Sequence, residues 1–156
     1  MKKYCFTAFL FLCLLTSACH KKLITQPVES IPKTEEVKVD AGADYIVTQM
    51  FFDNKKYFEF VDLCRKNDIH VPIIPGLKIL SSRSQLIALP KIFHIDLPQD
   101  LFVELEKCKD DKAVKEVGIK WCIEQSKELK KANVPCLHYY TMGTSDSTKR
   151  VAKEVF

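Results

Sequence analysis

The fold of this 156-residue chain is decided by the stretch KVDAGADYIVTQMFFD, residues 38–53. Gly42 favours the left-handed conformation that closes a helix. The residues from Tyr45 to Val47 predict a strand covered on both faces, because they are β-branched or aromatic. Thr48 and Gln49 then interrupt the apolar run. Parallel α/β proteins keep ligand-contacting residues at the carboxyl ends of such strands. The alternative is a glutamine that only hydrogen-bonds a neighbouring loop.

The rest of the body alternates predicted strands and helices, which indicates parallel β/α units. The further predicted strands span residues 70–74, 92–95 and 136–140. The predicted helices span residues 54–67, 81–89, 99–108, 111–131 and 145–155. Asp53 or Asn54 can cap the first helix, and Asp110 or Asp111 can cap the longest one. Pro90 is expected to end the second helix.

The opening stretch resembles the fifth strand and its flanks in methylenetetrahydrofolate reductases. The typical sequence of that family there is K-x-D-A-G-A-x-x-x-x-T-Q-x-F-F-D. Further landmarks follow in the same order: IIPG at residues 73–76, Gln85 in a short helix, and HYYT at residues 138–141. The resemblance covers about residues 38–156. It implies an α/β fold that is the C-terminal half of a (β/α)8 TIM-type barrel, with four β/α units. A half barrel leaves open strand edges, so we expect self-association or a partner that completes it.

The same resemblance implies a flavin-dependent reduction of 5,10-methylenetetrahydrofolate to 5-methyltetrahydrofolate. FAD would be the cofactor, and NADH or NADPH the hydride donor. Gln49 matches a glutamine that contacts both folate and nicotinamide, and Gln85 matches one that contacts folate. Lys38 matches a lysine near the flavin phosphates, where an ammonium can pair with phosphate oxygens. Two positions depart from the family: Leu89 replaces a common phenylalanine, and Thr144 replaces an Arg or Lys that points toward the folate tail.

No catalytic residue is predicted in this half of the barrel. The family's general acid, a glutamate, and its aspartate beside the flavin belong to the first half. Without a positioned proton donor the folate iminium forms poorly, and hydride transfer needs a firmly held cofactor. We therefore expect this chain alone to bind flavin weakly and to turn over negligibly. The alternatives are a lipid-anchored remnant without catalysis, and a fusion or truncation artefact.

Residues 1–19 have the pattern of a non-globular leader. Two lysines precede an uncharged run from Tyr4 to Ala18, and small residues then precede Cys19. This pattern predicts a secretory signal peptide with a bacterial lipobox, in which Cys19 is lipidated and anchors the chain to a membrane. A transmembrane anchor is the alternative, although the run is shorter than the roughly 20 residues a bilayer requires. Residues 20–37 are predicted to be a flexible tether. The resemblance implies a cytoplasmic enzyme body, whereas a genuine leader implies a membrane-anchored lipoprotein.

Charge argues against nucleic acid as a partner. The net charge is +4, and four lysines at positions 2, 3, 21 and 22 supply all of it. From residue 23 onward the basic and acidic residues cancel, so no basic face is expected.

Cysteine and histidine usage predicts no metal site. The four body cysteines form no C-x-x-C pair. Cys64 and Cys122 fall on apolar helix faces, where a thiol packs as a small hydrophobe. This usage is typical of a reducing compartment and conflicts with export. His70, His94 and His138 lie near predicted strands without an acid–base partner nearby, which favours structural roles.

Overall fold

The computed structural model describes residues 22–24, 39, 42–142 and 145–156 of the chain. The predicted leader with Cys19, the flavin-phosphate candidate Lys38 and the variant position Thr144 lie outside the described residues. Within the described ranges, none of the helices has the length and apolar character needed to cross a membrane.

In the described part, four short strands form one parallel sheet whose spatial order is the chain order. They are β1 (Lys22–Ile24), β2 (Ile46–Met50), β3 (Ile73–Leu77) and β4 (His138–Tyr139). Because all run in the same direction, their carboxyl ends meet at one edge of the sheet. The predicted α/β class with a parallel sheet is confirmed, and the sheet is consistent with part of a barrel.

Helices follow the strands and cover the sheet. They are α1 (Asn54–Lys66), α2 (Arg83–Phe93), α3 (Gln99–Glu106), α4 (Asp111–Lys131) and α5 (Asp146–Val155). Asp53 caps α1 by accepting a hydrogen bond from the Lys55 amide at 2.9 Å. Asp110 caps α4 in the same way, with the Ala113 amide at 2.8 Å. Both predicted caps are confirmed, and each satisfies an amide without an intrahelical partner.

The predicted strand at residues 92–95 is wrong. Phe93 lies in the last turn of α2, which ends at His94 in the left-handed region, with a φ of 51°. Pro90 lies inside α2 instead of ending it. The helix continues because Leu89 and Phe93 both belong to one apolar cluster. That packing outweighs the backbone hydrogen bond that a proline cannot donate.

The predicted bounds of two strands also need correction. β2 continues through Thr48 and Gln49, so the polar pair lies within the strand and not beyond its end. β3 begins at Ile73 and includes Pro75 and Gly76, which were predicted to close it. β2 and β3 each pair with a parallel strand on both sides. This pairing extends both strands beyond the residues that local preference alone would make extended.

The first strand lies inside the segment that the sequence predicts to be a flexible tether. Its register pairs Lys22 with Ile46 and Ile24 with Thr48. These three residues are therefore part of the sheet. A strand of three residues is too short to leave a readable hydrophobic period in the sequence.

Two apolar clusters hold the body together. The first joins the sheet to α1, α4 and α5, and contains Ile46, Ile73 and Leu77 of the strands. Cys64 and Cys122 belong to it and are almost fully buried, which confirms that they pack as hydrophobes. No disulfide joins the cysteines of the described body.

The second cluster is built from the last residue of β2, from the segments that follow β2 and β3, and from the α2, α3 and α4 region. Its buried members are Met50, Phe52, Leu80, Leu89, Leu101, Leu105, Cys108 and Val114. Trp121 and Tyr140 pack against it. This cluster therefore supports the loops at the carboxyl edge of the sheet.

Gly118 sets the close approach of α4 to the segment after β3, so Gly118→Ala should destabilise the fold. An added Cβ would lie 2.9 Å from the Leu80 carbonyl carbon and would overlap the carbonyl oxygen. Overpacking costs about 1–3 kcal/mol, and the helix preference of alanine returns up to about 1 kcal/mol. We expect urea denaturation to show a net decrease in the free energy of unfolding. Lys120→Ala, at an exposed position of the same helix, is the control, and equal stability of the two variants would contradict the packing argument.

Candidate functional site

Side-chain hydrogen bonds connect the carboxyl ends of β2, β3 and β4. Thr48 and Gln49 of β2 stand opposite Pro75 alone in β3, so β2 carries a one-residue bulge. Thr48 Oγ1 accepts a hydrogen bond from the Gly76 amide at 2.9 Å and donates to the Gln49 carbonyl at 2.9 Å. The Tyr140 hydroxyl, just beyond β4, donates to the Thr48 carbonyl at 3.0 Å. The bulge therefore holds Gln49 at the edge where three strands end.

Only glycine fits at position 76, where these hydrogen bonds meet. A Cβ at Gly76 would lie 2.7 Å from Cε2 of the Tyr140 ring and would overlap the Thr48 carbonyl oxygen. Burial raises the pKa of Tyr140 to about 12. The tyrosine hydroxyl therefore stays protonated and remains a donor at neutral pH.

Gln49 is half-buried at this edge. Its Oε1 accepts a hydrogen bond from the amide of the next residue, Met50, at 3.1 Å. Among the described residues, its Nε2 donates to no acceptor, so two amide hydrogens stay available to a ligand. The alternative role, in which Gln49 bonds a neighbouring loop, has no counterpart among these contacts.

Gln85 lies in the first turn of α2, the helix that follows β3. Its Oε1 accepts hydrogen bonds from the Ser81 amide at 2.8 Å and the Ser81 hydroxyl at 3.3 Å. This bond resembles a capping box, in which a side chain satisfies an amide at the helix start. Gln85 thus has a local structural role that the sequence did not reveal, and its contact with folate stays a prediction. Gln49 thus lies near the end of β2, and Gln85 lies in the helix that follows the neighbouring strand β3.

Lys78 is a charged residue of this edge that sequence reasoning missed. It directly follows β3 and is only 6% exposed. Its Nζ donates to the Tyr140 carbonyl at 3.0 Å. Burial lowers the pKa of Lys78 below its usual value. The available signal was a single lysine inside the apolar run IIPGLKIL, residues 73–80.

Helix α4 fixes the loop that follows Gln49. Trp121 Nε1 donates to the Phe52 carbonyl at 3.0 Å, and Gln125 Nε2 donates to the Phe51 carbonyl at 3.1 Å. Asn54 Nδ2 donates in return to the Gln125 backbone carbonyl at 3.0 Å. Trp121 and Gln125 are four residues apart and therefore share one helix face. That spacing was the readable sign of this contact, and sequence reasoning passed over it.

The histidines take separate positions in the described structure. The His138 ring packs edge-on against Tyr140, with centroids 4.6 Å apart. His70 is exposed beside Asp68, and His94 ends α2. The described residues contain no group of three or more His, Cys, Asp or Glu side chains placed to hold a metal ion.

Comparison with known families decides what the chain is related to. The pattern of the family described as "Methylenetetrahydrofolate reductase" matches residues 25–155. The chain belongs to the methylenetetrahydrofolate reductase family. The matched region begins ahead of residue 38, where the change in composition had placed the boundary, and it includes nearly all of the described structure.

Named relatives of this methylenetetrahydrofolate reductase family member come from several organisms. "Methylenetetrahydrofolate reductase (NADH) 1" of Arabidopsis thaliana is 38% identical over 70% of this chain and 19% of its own length. "Probable methylenetetrahydrofolate reductase (NADPH)" of Caenorhabditis elegans is 34% identical over 77% of this chain and 18% of its own length. The Buchnera aphidicola "5,10-methylenetetrahydrofolate reductase" is 34% identical over 71% of this chain and 38% of its own length. The chain thus spans a fifth to two fifths of these relatives.

A solved structure shares the fold. It is described as "Uncharacterized protein from Clostridium thermocellum binds two copies of 5-methyl-5,6,7,8-tetrahydrofolic acid". Its TM-score with this chain is 0.56 at 17% identity, and the match covers 79% of this chain and 46% of that protein. At this identity the likeness concerns the fold alone.

Thr48→Val should destabilise the protein, because valine keeps the shape but leaves the buried Gly76 amide without its acceptor. A buried unpaired amide costs about 1–3 kcal/mol. Urea denaturation measures the loss. Thr48→Ser is the matched control, since it keeps the hydroxyl, and it should retain most of the stability. A serine variant as unstable as the valine variant would show that the hydroxyl is not the important group.

Lys78→Met should change the pH dependence of stability. The pKa of folded Lys78 lies below 10.5, the value expected for an unhindered lysine, because burial disfavours the charge. Below the folded pKa, both states hold the proton and the folded wild type carries the full cost of burying the charge. Between the folded pKa and 10.5, unfolding takes up a proton, so the free energy of unfolding of wild type rises with pH. The stability of Lys78→Met relative to wild type should fall over that rise. Urea denaturation from neutral pH to about pH 10 measures it, with Lys120→Met as the exposed control. A difference that is constant with pH would contradict the buried charge.

Proposed function

We propose that the chain forms the folate-facing part of a methylenetetrahydrofolate reductase. The reaction is the reduction of 5,10-methylenetetrahydrofolate to 5-methyltetrahydrofolate, with a flavin cofactor and NADH or NADPH as hydride donor. The observation that carries the proposal is the placement of Gln49. A bulge holds it at the carboxyl edge of a parallel sheet, with two amide hydrogens unused among the described contacts.

The folate assignment has independent support. The relatives that share this region are named as methylenetetrahydrofolate reductases. The solved protein of similar fold is described as binding 5-methyltetrahydrofolate. We propose that Gln49, near the end of β2, and Gln85, in the helix that follows β3, contact the pterin. Their amide donors and acceptors match its ring nitrogens and carbonyl.

The residues present fit a flavin at this edge. Gln49 offers two free amide hydrogens, which can donate to a flavin carbonyl or ring nitrogen. We propose that Lys38 would pair with the FAD phosphates and that Gln49 would contact the nicotinamide. When bound, FAD supplies hydride transfer between the nicotinamide and the folate. The apolar cluster beyond β2 and β3 excludes water from that side.

We also propose that the chain makes the C-terminal half of a (β/α)8 barrel. The parallel order of its sheet and the family match support this architecture. The proton donor and the remaining flavin contacts would come from the first half of the barrel, which a partner would supply, because a second copy of this chain repeats the same half. The chain alone is therefore proposed to bind flavin weakly and to turn over negligibly.

The leader favours a second candidate, a lipid-anchored binding protein of the same fold without catalysis. Its support is the lipobox pattern that ends at Cys19. Incorporation of labelled palmitate that is lost in Cys19→Ser would support this candidate. A chain that binds FAD and oxidises NADH would contradict it.

Gln49→Ala should weaken the binding of 5-methyltetrahydrofolate to the 156-residue chain. The loss of one or two neutral hydrogen bonds predicts an affinity about 3- to 10-fold lower. Isothermal titration calorimetry measures it, and flavin absorbance of the purified chain reports any retained FAD. Gln99→Ala, at an exposed glutamine that begins α3, is the matched control. Equal folate affinity in wild type and Gln49→Ala would remove Gln49 from the site.

A further inference from the structure

Lys78 is a buried cation at the edge where three parallel strands end. The residue is 6% exposed, and its amine reaches across from the end of β3 to the Tyr140 carbonyl, 3.0 Å away. Gly76, two residues earlier, is the point where the β2 bulge and the Tyr140 ring meet. Lys78 thus lies at the same edge as Gln49, directly after the neighbouring strand.

The charge of Lys78 is not balanced by the residues that the structure describes. None of the ion pairs found among them involves Lys78. Burial alone accounts for the lowered pKa of the amine, without a contribution from a neighbouring carboxylate. A buried charge without a counter-charge is costly, and proteins rarely retain one unless it pairs with something.

The chemistry of the amine defines what it would bind. An ammonium has three N–H donors and no acceptor, and one donor is used by the Tyr140 carbonyl. The two remaining donors require acceptor oxygens, and the uncompensated charge requires that these be anionic. A carboxylate or a phosphate meets both requirements.

We propose that Lys78 is a ligand-binding residue that pairs with an anionic oxygen of the molecule bound at this edge. The inference rests on the proposed function, because reduced folates carry glutamate carboxylates and the flavin and nicotinamide cofactors carry phosphates. Lys78 would fix the anionic part of the ligand while Gln49 contacts its ring. The Tyr140 carbonyl positions the amine by accepting one of its hydrogen bonds.

Two pairs of ligands separate the sources of the anion. The first pair is 5-methyltetrahydrofolate and 5-methyltetrahydropterin, which lacks the aminobenzoylglutamate tail and therefore carries no carboxylate. The second pair is FAD and riboflavin, which lacks the phosphates. The full chain is titrated with all four molecules as wild type, Lys78→Met, Lys78→Arg and Lys120→Met. Thermal midpoints verify that each variant is folded.

The expected result is a loss of at least about tenfold for the acidic member of one pair in Lys78→Met. The neutral member of that pair should bind unchanged. Lys78→Arg should recover part of the loss, and Lys120→Met, at an exposed lysine, should match wild type. A loss confined to the folate pair assigns the carboxylate, and a loss confined to the flavin pair assigns the phosphates.

Three outcomes would overturn the inference. One is wild-type affinity of Lys78→Met for both acidic ligands. Another is an equal loss for the acidic and neutral members, which would make Lys78 a structural residue while the proposed function stands. If wild type binds neither folate nor flavin, the proposed function fails, and pyrophosphate then tests Lys78 alone. A rise of the thermal midpoint with pyrophosphate that Lys78→Met abolishes would support the anion site, and its absence would overturn it.

Discussion

The strand ends around Gln49 depend on the hydrogen bond from the Gly76 amide to the Thr48 hydroxyl. In a regular parallel ladder a backbone carbonyl would accept from that amide. Here β2 carries an extra residue opposite Pro75, and a side chain replaces the missing acceptor. The bulge and the absent side chain of Gly76 together make room for the Tyr140 ring. Side chains thus connect the three strands where the ladder between β2 and β3 is interrupted, and Gln49 is placed by the same irregularity.

The loop after Gln49 is held from the opposite side by α4. Two side chains of that helix, Trp121 and Gln125, bind consecutive carbonyls of the loop, so its backbone cannot shift without breaking both bonds. Gly118 lets the same helix touch the segment after β3. One long helix thus positions both loops that leave the central strands. Binding sites gain precision when rigid elements support them in this manner.

The edge concentrates features that are unfavourable for folding alone. Lys78 is a charge in a buried place, and Tyr140 is a phenol whose pKa burial raises to about 12. The buried oxygens Asn54 Oδ1 and Gln125 Oε1 accept no hydrogen bond within the described part of the chain. Departures from local folding rules are expected at functional sites. Lys78 and Tyr140 lie at this edge, and the Gln125 side chain binds the Phe51 carbonyl just after Gln49, which agrees with the proposed ligand site.

The sequence by itself determined the family, the parallel α/β class, the caps at Asp53 and Asp110, and Gln49 as a candidate, because these depend on local composition and short motifs. Tertiary structure decided the rest. Because Leu89 and Phe93 pack in one apolar cluster, α2 continues past Pro90, and residues 92–95 do not form the predicted strand. Pairing with β2 made a strand of Lys22–Ile24, in a segment whose composition favours a flexible tether. Lys78 acquired its buried position only when β3 and β4 came together. Such contacts join residues about 60 positions apart, as between Lys78 and Tyr140, and no local pattern records them.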